Sequence, residues 1–442
     1  MVELAIPDAA TLENVNDVDE ADFPRMAYAE RRRDPSQIED VDGATRDAVA
    51  DIPAFADLDP GAEVAVTAGS RGIHDMPELV VAAVDELRER GFEPFVMPAM
   101  GSHGGATPEG QRQVLADYGI TEERLGCEIR DAMDVEVVAE DETGRPIPVS
   151  TVALDADAVL LANRVKLHTD YRGPIQSGLC KMAVVGLGKQ RGAEAMHNAA
   201  IERGLGACIP ERAHAIFEET PVVGGLALVE NANDRAAIIE GVPVDDIPER
   251  EPQLLERSEE LFPTLPVDEL DLLVVEEMGK DVSGAGMDTN VIGRYDFFDE
   301  PEPETPDITR IYVRSVTPAS HGNAIGMGLA DYAHEDLVAD LNLADVYTNL
   351  VTSGETARGR IPIVSPTDRA TLTVACSMTG VRDPGDLRIA YIENTMEPDA
   401  LYVSEPVAAD LAERDAVDVG ALRDIAFDER GDFAFGFAAD EE

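Results

Sequence analysis

The order of elements predicted between residues 62 and 118 constrains the fold more than any other feature of the sequence. Twice in succession, an apolar strand-like run leads through a glycine-rich loop into a helical pattern. The first unit reads EVAVTA, GSRGIHD and then a helix, and the second reads FEPFVMPAM, GSHGGA and a helix capped by Thr107 and Pro108. Repeated units of this kind predict a parallel sheet covered by helices, with the loops at its carboxyl edge, where α/β folds bind ligands.

The rest of the chain predicts a second domain. Strand-like segments follow at 134–139 and 157–162, and a segment rich in Pro, Glu and Arg at 242–269 reads as a linker. A chain of 442 residues also exceeds what one hydrophobic core usually organises. We therefore predict an α/β protein of two domains, residues 1–266 with the parallel sheet and a smaller α/β domain at 267–442.

Charge narrows the classes of partner. The formal net charge is -54, but the acidic residues are dispersed between regular apolar runs, as on the solvated surface of a folded protein. Such a surface disfavours nucleic acid and anionic membranes as partners. Without an apolar stretch of membrane-spanning length or a signal-like start, and without CxxC spacing among the four cysteines, we expect a cytoplasmic protein that acts on a small molecule.

Lysine is almost absent from the chain. Of its 35 Lys and Arg residues, only four are lysines, at positions 166, 181, 189 and 280. An acid-rich, lysine-poor surface on an ordinary core is typical of a protein that works in concentrated salt, so we expect a halophilic source.

The retained lysines point to chemistry, because arginine supplies charge but cannot serve as a neutral nucleophile. Lys181 is the best candidate, since it precedes the strand-like run MAVVGLG and lies in sequence among Lys166, Arg172 and Lys189, cations that would favour its neutral form. The alternative is that these lysines remain by chance or bind phosphate.

Three histidines have surroundings suited to a functional site: His103 in GSHGGATPEG, His168 in NRVKLHTDYRG and His197 in GAEAMHNAA. Histidine moves protons near neutral pH and binds borderline metals, although a single histidine is more often a structural residue. The remaining four, at positions 74, 214, 321 and 334, are assigned structural roles.

Other cofactor motifs fit less well. The loop containing Ser70 and Arg71 suits a carboxylate or phosphate, although glycine turns often serve geometry alone. The segment VVGLGKQRG offers only an incomplete dinucleotide fingerprint, and it is not a phosphate-binding Walker loop. No GxSxG motif supports a serine hydrolase.

Taken together, GSHGGATPE and NRVKLHTDYRGPIQSGLCKMAVVGLGKQRGAEAMH resemble the nickel-pincer-nucleotide lactate racemase family and its 2-hydroxy-acid racemase homologues. By motif order, the resemblance implies that Lys181 carries the covalently linked pyridinium-3,5-bisthiocarboxylic acid mononucleotide, that His197 ligates nickel, and that His103 and His168 exchange protons with the substrate. It implies racemisation or epimerisation by reversible hydride transfer, in an active site that lies in the cleft between the two domains.

The match is specific over about residues 63–200 and departs from the family elsewhere. Arg71, with Ser70 beside it, would hold the substrate carboxylate or the cofactor phosphate, in a loop that lacks the family's usual Asp and Thr. In the second half, Lys280 in GKDVSGAGMDTN is the candidate for a further binding lysine. The resemblance thus implies a 2-hydroxy acid as substrate, either lactate-like or larger. An NAD(P)-dependent oxidoreductase and a noncatalytic nucleotide or nickel binder remain as alternatives.

Overall fold

The computed structural model describes residues 5–33, 36–69, 72–297 and 300–437. Its strands are β1 Met26–Arg31, β2 Glu63–Ala68, β3 Glu93–Pro98, β4 Val135–Glu140, β5 Pro146–Ser150, β6 Ala158–Arg164, β7 Val222–Glu230, β8 Ala236–Pro243, β9 Glu269–Met278, β10 Asp307–Val316, β11 Tyr332–His334, β12 Ile363–Ser365, β13 Ile389–Ile392, β14 Ala400–Ser404 and β15 Val417–Val419. Its α-helices are α1 Ala9–Glu13, α2 Val41–Ala50, α3 Met76–Glu89, α4 Pro108–Asp117, α5 Glu122–Leu125, α6 Thr151–Leu154, α7 Leu179–Lys181, α8 Lys189–Arg203, α9 Leu205–Glu219, α10 Ile247–Leu261, α11 Thr289–Ile292, α12 Glu335–Ala339, α13 Leu343–Ser353, α14 Asp368–Met378 and α15 Glu405–Leu411.

Contacts divide the chain into two units. The first, called the N-terminal unit below, spans Pro35–Phe262, and the second, the C-terminal unit, combines Met1–Asp34 with Pro263–Glu442. Each unit is built around its own sheet, which confirms the mixed α/β class.

The N-terminal unit contains the predicted parallel sheet. Its strand order is β3-β2-β6-β7-β8, in which the first four strands are parallel and β8 pairs antiparallel with β7. Strands β2 and β6 are almost wholly buried, and their apolar runs pack with α3 in one core. Helix α4 begins as predicted, with the Thr107 side chain accepting a hydrogen bond from the Gly110 amide at 3.1 Å.

The C-terminal unit has an eight-stranded mixed sheet of order β12-β11-β10-β9-β13-β14-β1-β15. Strands β12 to β13 in this order run parallel, and β14, β1 and β15 add antiparallel pairs. The expected domain 1–266 is therefore wrong at its start, because β1 forms backbone hydrogen bonds with β14 on one edge and β15 on the other.

The expected linker at 242–269 is also wrong for most of its length. Helix α10 occupies Ile247–Leu261, with Pro248 near its start and Pro252 inside it. Proline is tolerated in the first turn of a helix, where an amide would have no partner in any case. Buried Leu254 and Leu255 show that α10 is held by packing. Among the described residues, no helix is long and apolar enough to cross a membrane.

Candidate functional site

The loops that follow β2, β3 and β6 all leave the same edge of the N-terminal sheet, because the three strands are parallel and adjacent. The loop after β3 carries His103, and the loop after β6 carries Lys166 and His168. The loop after β2 contains Ser70 and Arg71, which lie outside the described residues. Topology thus brings two histidine-bearing loops to the edge predicted from the sequence.

The segment after β6 ends in the helical run that carries Lys181. Asn163, in β6, donates its side-chain amide to the carbonyl of Gly178 at 2.8 Å. Helix α7 then continues directly into a π-helical turn at Met182–Gly186. The run MAVVGLG is therefore helical, and its prediction as a strand is wrong. Single π-helical turns occur frequently at functional sites.

Lys181 and His168 are in direct contact. The Nζ atom of half-buried Lys181 lies within hydrogen-bond distance of Nε2 of His168, whose residue is 7% exposed. The backbone amide of His168 donates to Oε1 of Gln176 at 2.7 Å, and the His168 ring lies 4.8 Å from that of buried Tyr171, centroid to centroid. These contacts orient the imidazole toward the amine.

The second ring nitrogen of His168, Nδ1, faces two groups of Asp170. The backbone amide of Asp170 lies 3.1 Å from Nδ1, and the carboxylate atom Oδ2 lies 3.6 Å from it. The amide suits a ring whose Nδ1 carries no proton, whereas the carboxylate suits a ring whose Nδ1 carries one. With either ring form, a hydrogen bond between Nε2 of His168 and Nζ of Lys181 needs a lone pair on one of the two nitrogens. The contact therefore disfavours the state in which both nitrogens are protonated.

His197 lies on α8, the next helix along the chain, within electrostatic reach of Lys181. Desolvation by the surrounding protein lowers the pKa of His197, and the charge of Lys181, when protonated, lowers it further, against an opposing effect of Asp170. The His197 side chain nevertheless retains an exposed face. A neutral, accessible imidazole is the form that binds a metal ion.

The loop of His103 packs against the same helical region. A Cβ atom at Gly101 would lie 3.1 Å from Cγ1 of Val185, in the π-helical turn. Buried Gln111 of α4 donates its side-chain amide to the carbonyls of Gly101, at 3.0 Å, and of His103, at 3.3 Å. The loop is thus held beside the helix of Lys181 while the His103 side chain remains exposed.

Lys189 has a different environment. Its side chain is fully buried, and Nζ donates to the carbonyl of Pro98, at the end of β3, at 2.6 Å. Burial lowers its pKa to about 8, against an opposing effect of Asp131. Lys189 therefore links the start of α8 to the strand that precedes the His103 loop, which is a structural role.

One expectation from the glycine-rich segments changes, and another stays a prediction. The dinucleotide interpretation of VVGLGKQRG requires a loop after a strand, but these residues belong to the helical run that leads into α8. Lys280 lies in the C-terminal unit, where its Nζ donates to the carbonyl of Gly284 at 2.7 Å. Its role as a binding lysine stays a prediction.

The C-terminal unit contains a second cluster, which the sequence did not indicate. Ligand atoms of buried His334, Asp368 and Asp432 lie within 4.8 Å of one another, close enough to hold a metal ion. However, Arg314 already pairs with Asp368, with Nη2 2.9 Å from Oδ2, and Tyr312 donates to Oδ1 of Asp368 at 2.7 Å. The guanidinium of Arg314 supplies the positive charge that a metal ion would bring. We therefore interpret the cluster as a structural network of hydrogen bonds and ion pairs.

Comparison with protein-family models gives no match, and comparison with curated proteins gives none either. Among solved structures, the lactate racemase apoprotein from Thermoanaerobacterium thermosaccharolyticum has a similar fold, with a TM-score of 0.51 and 11% sequence identity. The match covers 84% of this chain and 99% of that chain. At this identity the likeness establishes the fold, and the function has to be argued from the site.

Proposed function

We propose that the protein is a racemase or epimerase of a 2-hydroxy acid, lactate-like or larger, in which Lys181 holds a nickel pincer nucleotide. The observation that carries the proposal is the direct contact between Lys181 and His168. His197 is also close enough to Lys181 for the charge of that amine to lower the pKa of the imidazole. The fold of a lactate racemase supports the same activity. The source is proposed to be halophilic and the protein cytoplasmic.

The residues present fit such a cofactor. A covalent link through nitrogen needs an uncharged amine, and the contact with Nε2 of His168 disfavours the simultaneous protonation of both nitrogens. A nickel ion needs a borderline donor with an accessible lone pair, and the imidazole of His197 is kept neutral by its surroundings. When bound, the nucleotide would supply a hydride acceptor, with His197 as a nickel ligand.

The residues of the chain then have to transfer one proton to and from the substrate hydroxyl group. Removing hydride from the α-carbon of a 2-hydroxy acid requires a base for the hydroxyl group, and the reverse step requires an acid. His168 and His103 come from two different loops at one sheet edge, which suits one histidine to each enantiomer. Gln176 and the Asp170 amide keep the His168 ring oriented.

The experiment is a racemisation assay on protein produced in a host that makes the cofactor. Single enantiomers of several 2-hydroxy acids are supplied, and the opposite enantiomer is measured by chiral chromatography. We expect turnover of at least one acid by the wild type and none by the double variant His103→Asn, His168→Asn. Turnover by the double variant would contradict the assigned proton transfers. Loaded protein without turnover of any acid would favour the noncatalytic nickel-nucleotide binder instead.

The oxidoreductase alternative has its own readout. An NAD(P)-dependent enzyme would change the absorbance of added nicotinamide cofactor with a 2-hydroxy acid present. We expect no such change, because the glycine segment on which that alternative depended is helical.

A further inference from the structure

A buried carboxyl group lies behind the helix that carries Lys181. Glu251 projects from α10 and is 1% exposed. Its Oε2 accepts a hydrogen bond from the backbone amide of Cys180 at 2.9 Å, and α10 packs against α7. The contact joins residues that are 71 positions apart in the sequence.

The start of α7 needs this contact, because it has no local cap. The first amides of a helix lack partners within the helix and are usually capped by the side chain of the preceding residue. That residue is Gly178, which has no side chain to offer. Glu251 therefore serves as a cap from a distant helix. When its carboxyl group is ionised, the negative charge also stabilises the N-terminal, positive end of the helical run.

Gly178 and Glu251 depend on each other. A Cβ atom at position 178 would lie 2.4 Å from Oε1 of Glu251, a separation that would force the carboxyl group to move. The absence of a side chain at 178 thus makes room for the cap. On the other side, Asn163 holds the Gly178 carbonyl. The first turn is fixed from both directions, and Lys181 is the next residue after Cys180.

We propose that Glu251 is a positioning residue for Lys181, holding the first turn of α7 so that Nζ faces Nε2 of His168. This role of Glu251 rests on the proposed function, because the position of Lys181 matters only if its amine reacts. The contacts concerned, from Glu251 to the Cys180 amide and from Lys181 to His168, involve no cofactor atom.

The chemistry of the carboxyl group predicts which substitutions will succeed. Burial raises the pKa of Glu251 to about 7, against opposing hydrogen bonds from the Cys180 amide, the Cys180 thiol and the Leu179 amide. Both the ionised and the protonated carboxyl retain an oxygen that accepts from an amide, as does the side chain of glutamine. Glu251→Gln should therefore preserve the cap, whereas Glu251→Leu keeps much of the volume and removes the acceptor.

The test measures the reactivity of Lys181 in the protein without cofactor. Protein is treated briefly with the N-hydroxysuccinimide ester of acetic acid at neutral pH, and acetylation of Lys181 is quantified by peptide mass spectrometry against Lys280. We expect Glu251→Leu to slow acetylation of Lys181 by roughly tenfold, since an amine that moves away from Nε2 of His168 is protonated more fully, and only the uncharged amine attacks the ester. Glu251→Gln should stay within about twofold of the wild type.

Two further variants separate positioning from general stability. Leu254→Ala removes a buried side chain of α10 without touching the cap, so it should lower the melting temperature and leave Lys181 acetylation unchanged. Gly178→Ala should slow acetylation by displacing the carboxyl group, which keeps the test available if Glu251→Leu prevents folding. Wild-type rates in folded Glu251→Leu or in Gly178→Ala would overturn the proposal, as would equal slowing in Leu254→Ala.

This readout is separate from the racemase assignment. If acetylation of Lys181 depends on Glu251 but the loaded protein turns over no 2-hydroxy acid, the proposed function fails and the positioning role stands. If the protein racemises a 2-hydroxy acid and acetylation is indifferent to Glu251, the positioning role fails alone.

Discussion

Two clusters of polar groups in this chain differ in how their charges are paired. In the C-terminal unit, buried Asp368 meets Arg314, the hydroxyl of Tyr312 and the amide of Phe433. In the N-terminal unit, Lys181 faces the imidazole of His168. The first arrangement pairs the Asp368 carboxylate with a guanidinium and surrounds it with further hydrogen-bond donors. The second places two nitrogen bases in contact, where a proton on one disfavours a proton on the other. An unprotonated nitrogen is the form that reacts as a nucleophile or a base.

The largest effect is expected from Lys181→Arg. Guanidinium stays protonated and cannot form the nitrogen link, so cofactor attachment and racemisation should both fall to background. Intact-mass analysis and the chiral assay check this outcome. Lys189→Arg is not a suitable control, because that site is enclosed, whereas Lys280→Arg lies in the other unit and should still carry the adduct. An adduct of undiminished yield on Lys181→Arg would place the attachment elsewhere.

His168→Asn should come next in size. Loss of a positioned acid or base lowers turnover by about 10²- to 10⁴-fold. Because His168 serves one face of the substrate in the proposal, the loss should differ between the two directions of racemisation. Initial rates from each enantiomer, on protein of measured nickel content, provide the test. Unchanged rates in both directions would remove His168 from the proton transfer.

Arg314→Met should affect stability and leave the Lys181 site alone. Removing one partner of a buried ion pair leaves an uncompensated carboxylate and costs about 3–5 kcal/mol. Denaturant unfolding should show this loss in the C-terminal unit, while acetylation of Lys181 stays at the wild-type rate. If the variant instead loses a bound divalent metal, the cluster of His334, Asp368 and Asp432 is a metal centre and its structural interpretation is wrong.

The smallest expected effect is a pH slope from Lys189. Its pKa is about 8 in the folded protein and near 10.5 in the unfolded chain, so the unfolded state binds more protons between these values. The free energy of unfolding should therefore gain roughly 3 kcal/mol from this group as the pH rises from 8 to 10.5, with the full penalty present below pH 8. Lys189→Met lacks the group, and the difference between the two unfolding curves isolates it. A difference that is flat with pH would mean that the amine is solvated.

The sequence predicted the parts of the fold that depend on local pattern. Strand β2, strand β3 and the Thr107 cap of α4 follow from apolar runs and a capping residue that act within a few positions. The run MAVVGLG is helical although its pattern predicts a strand, because a short buried apolar run is compatible with either structure. Helix α10 was missed because its prolines resemble those of a linker.

The residues of the candidate site are likewise predictable only where a signal exists in the sequence itself. The scarcity of lysine drew attention to Lys181, and its contact with His168 fits that emphasis. The same argument does not distinguish Lys189, whose role depends on the carbonyl of Pro98, 91 positions away. Glu251 is not predictable from the sequence for the same reason, since one acidic residue among 89 carries no signal until the fold brings it to Cys180.

The central claim is tested most directly by the covalent state of Lys181 in protein purified from a host that synthesises the pincer nucleotide. Intact mass, peptide mapping and metal analysis are made on the same sample. The account predicts a nucleotide adduct on the peptide containing Lys181, with near-stoichiometric nickel that is lost in His197→Ala. An unmodified polypeptide that binds no nickel would contradict it.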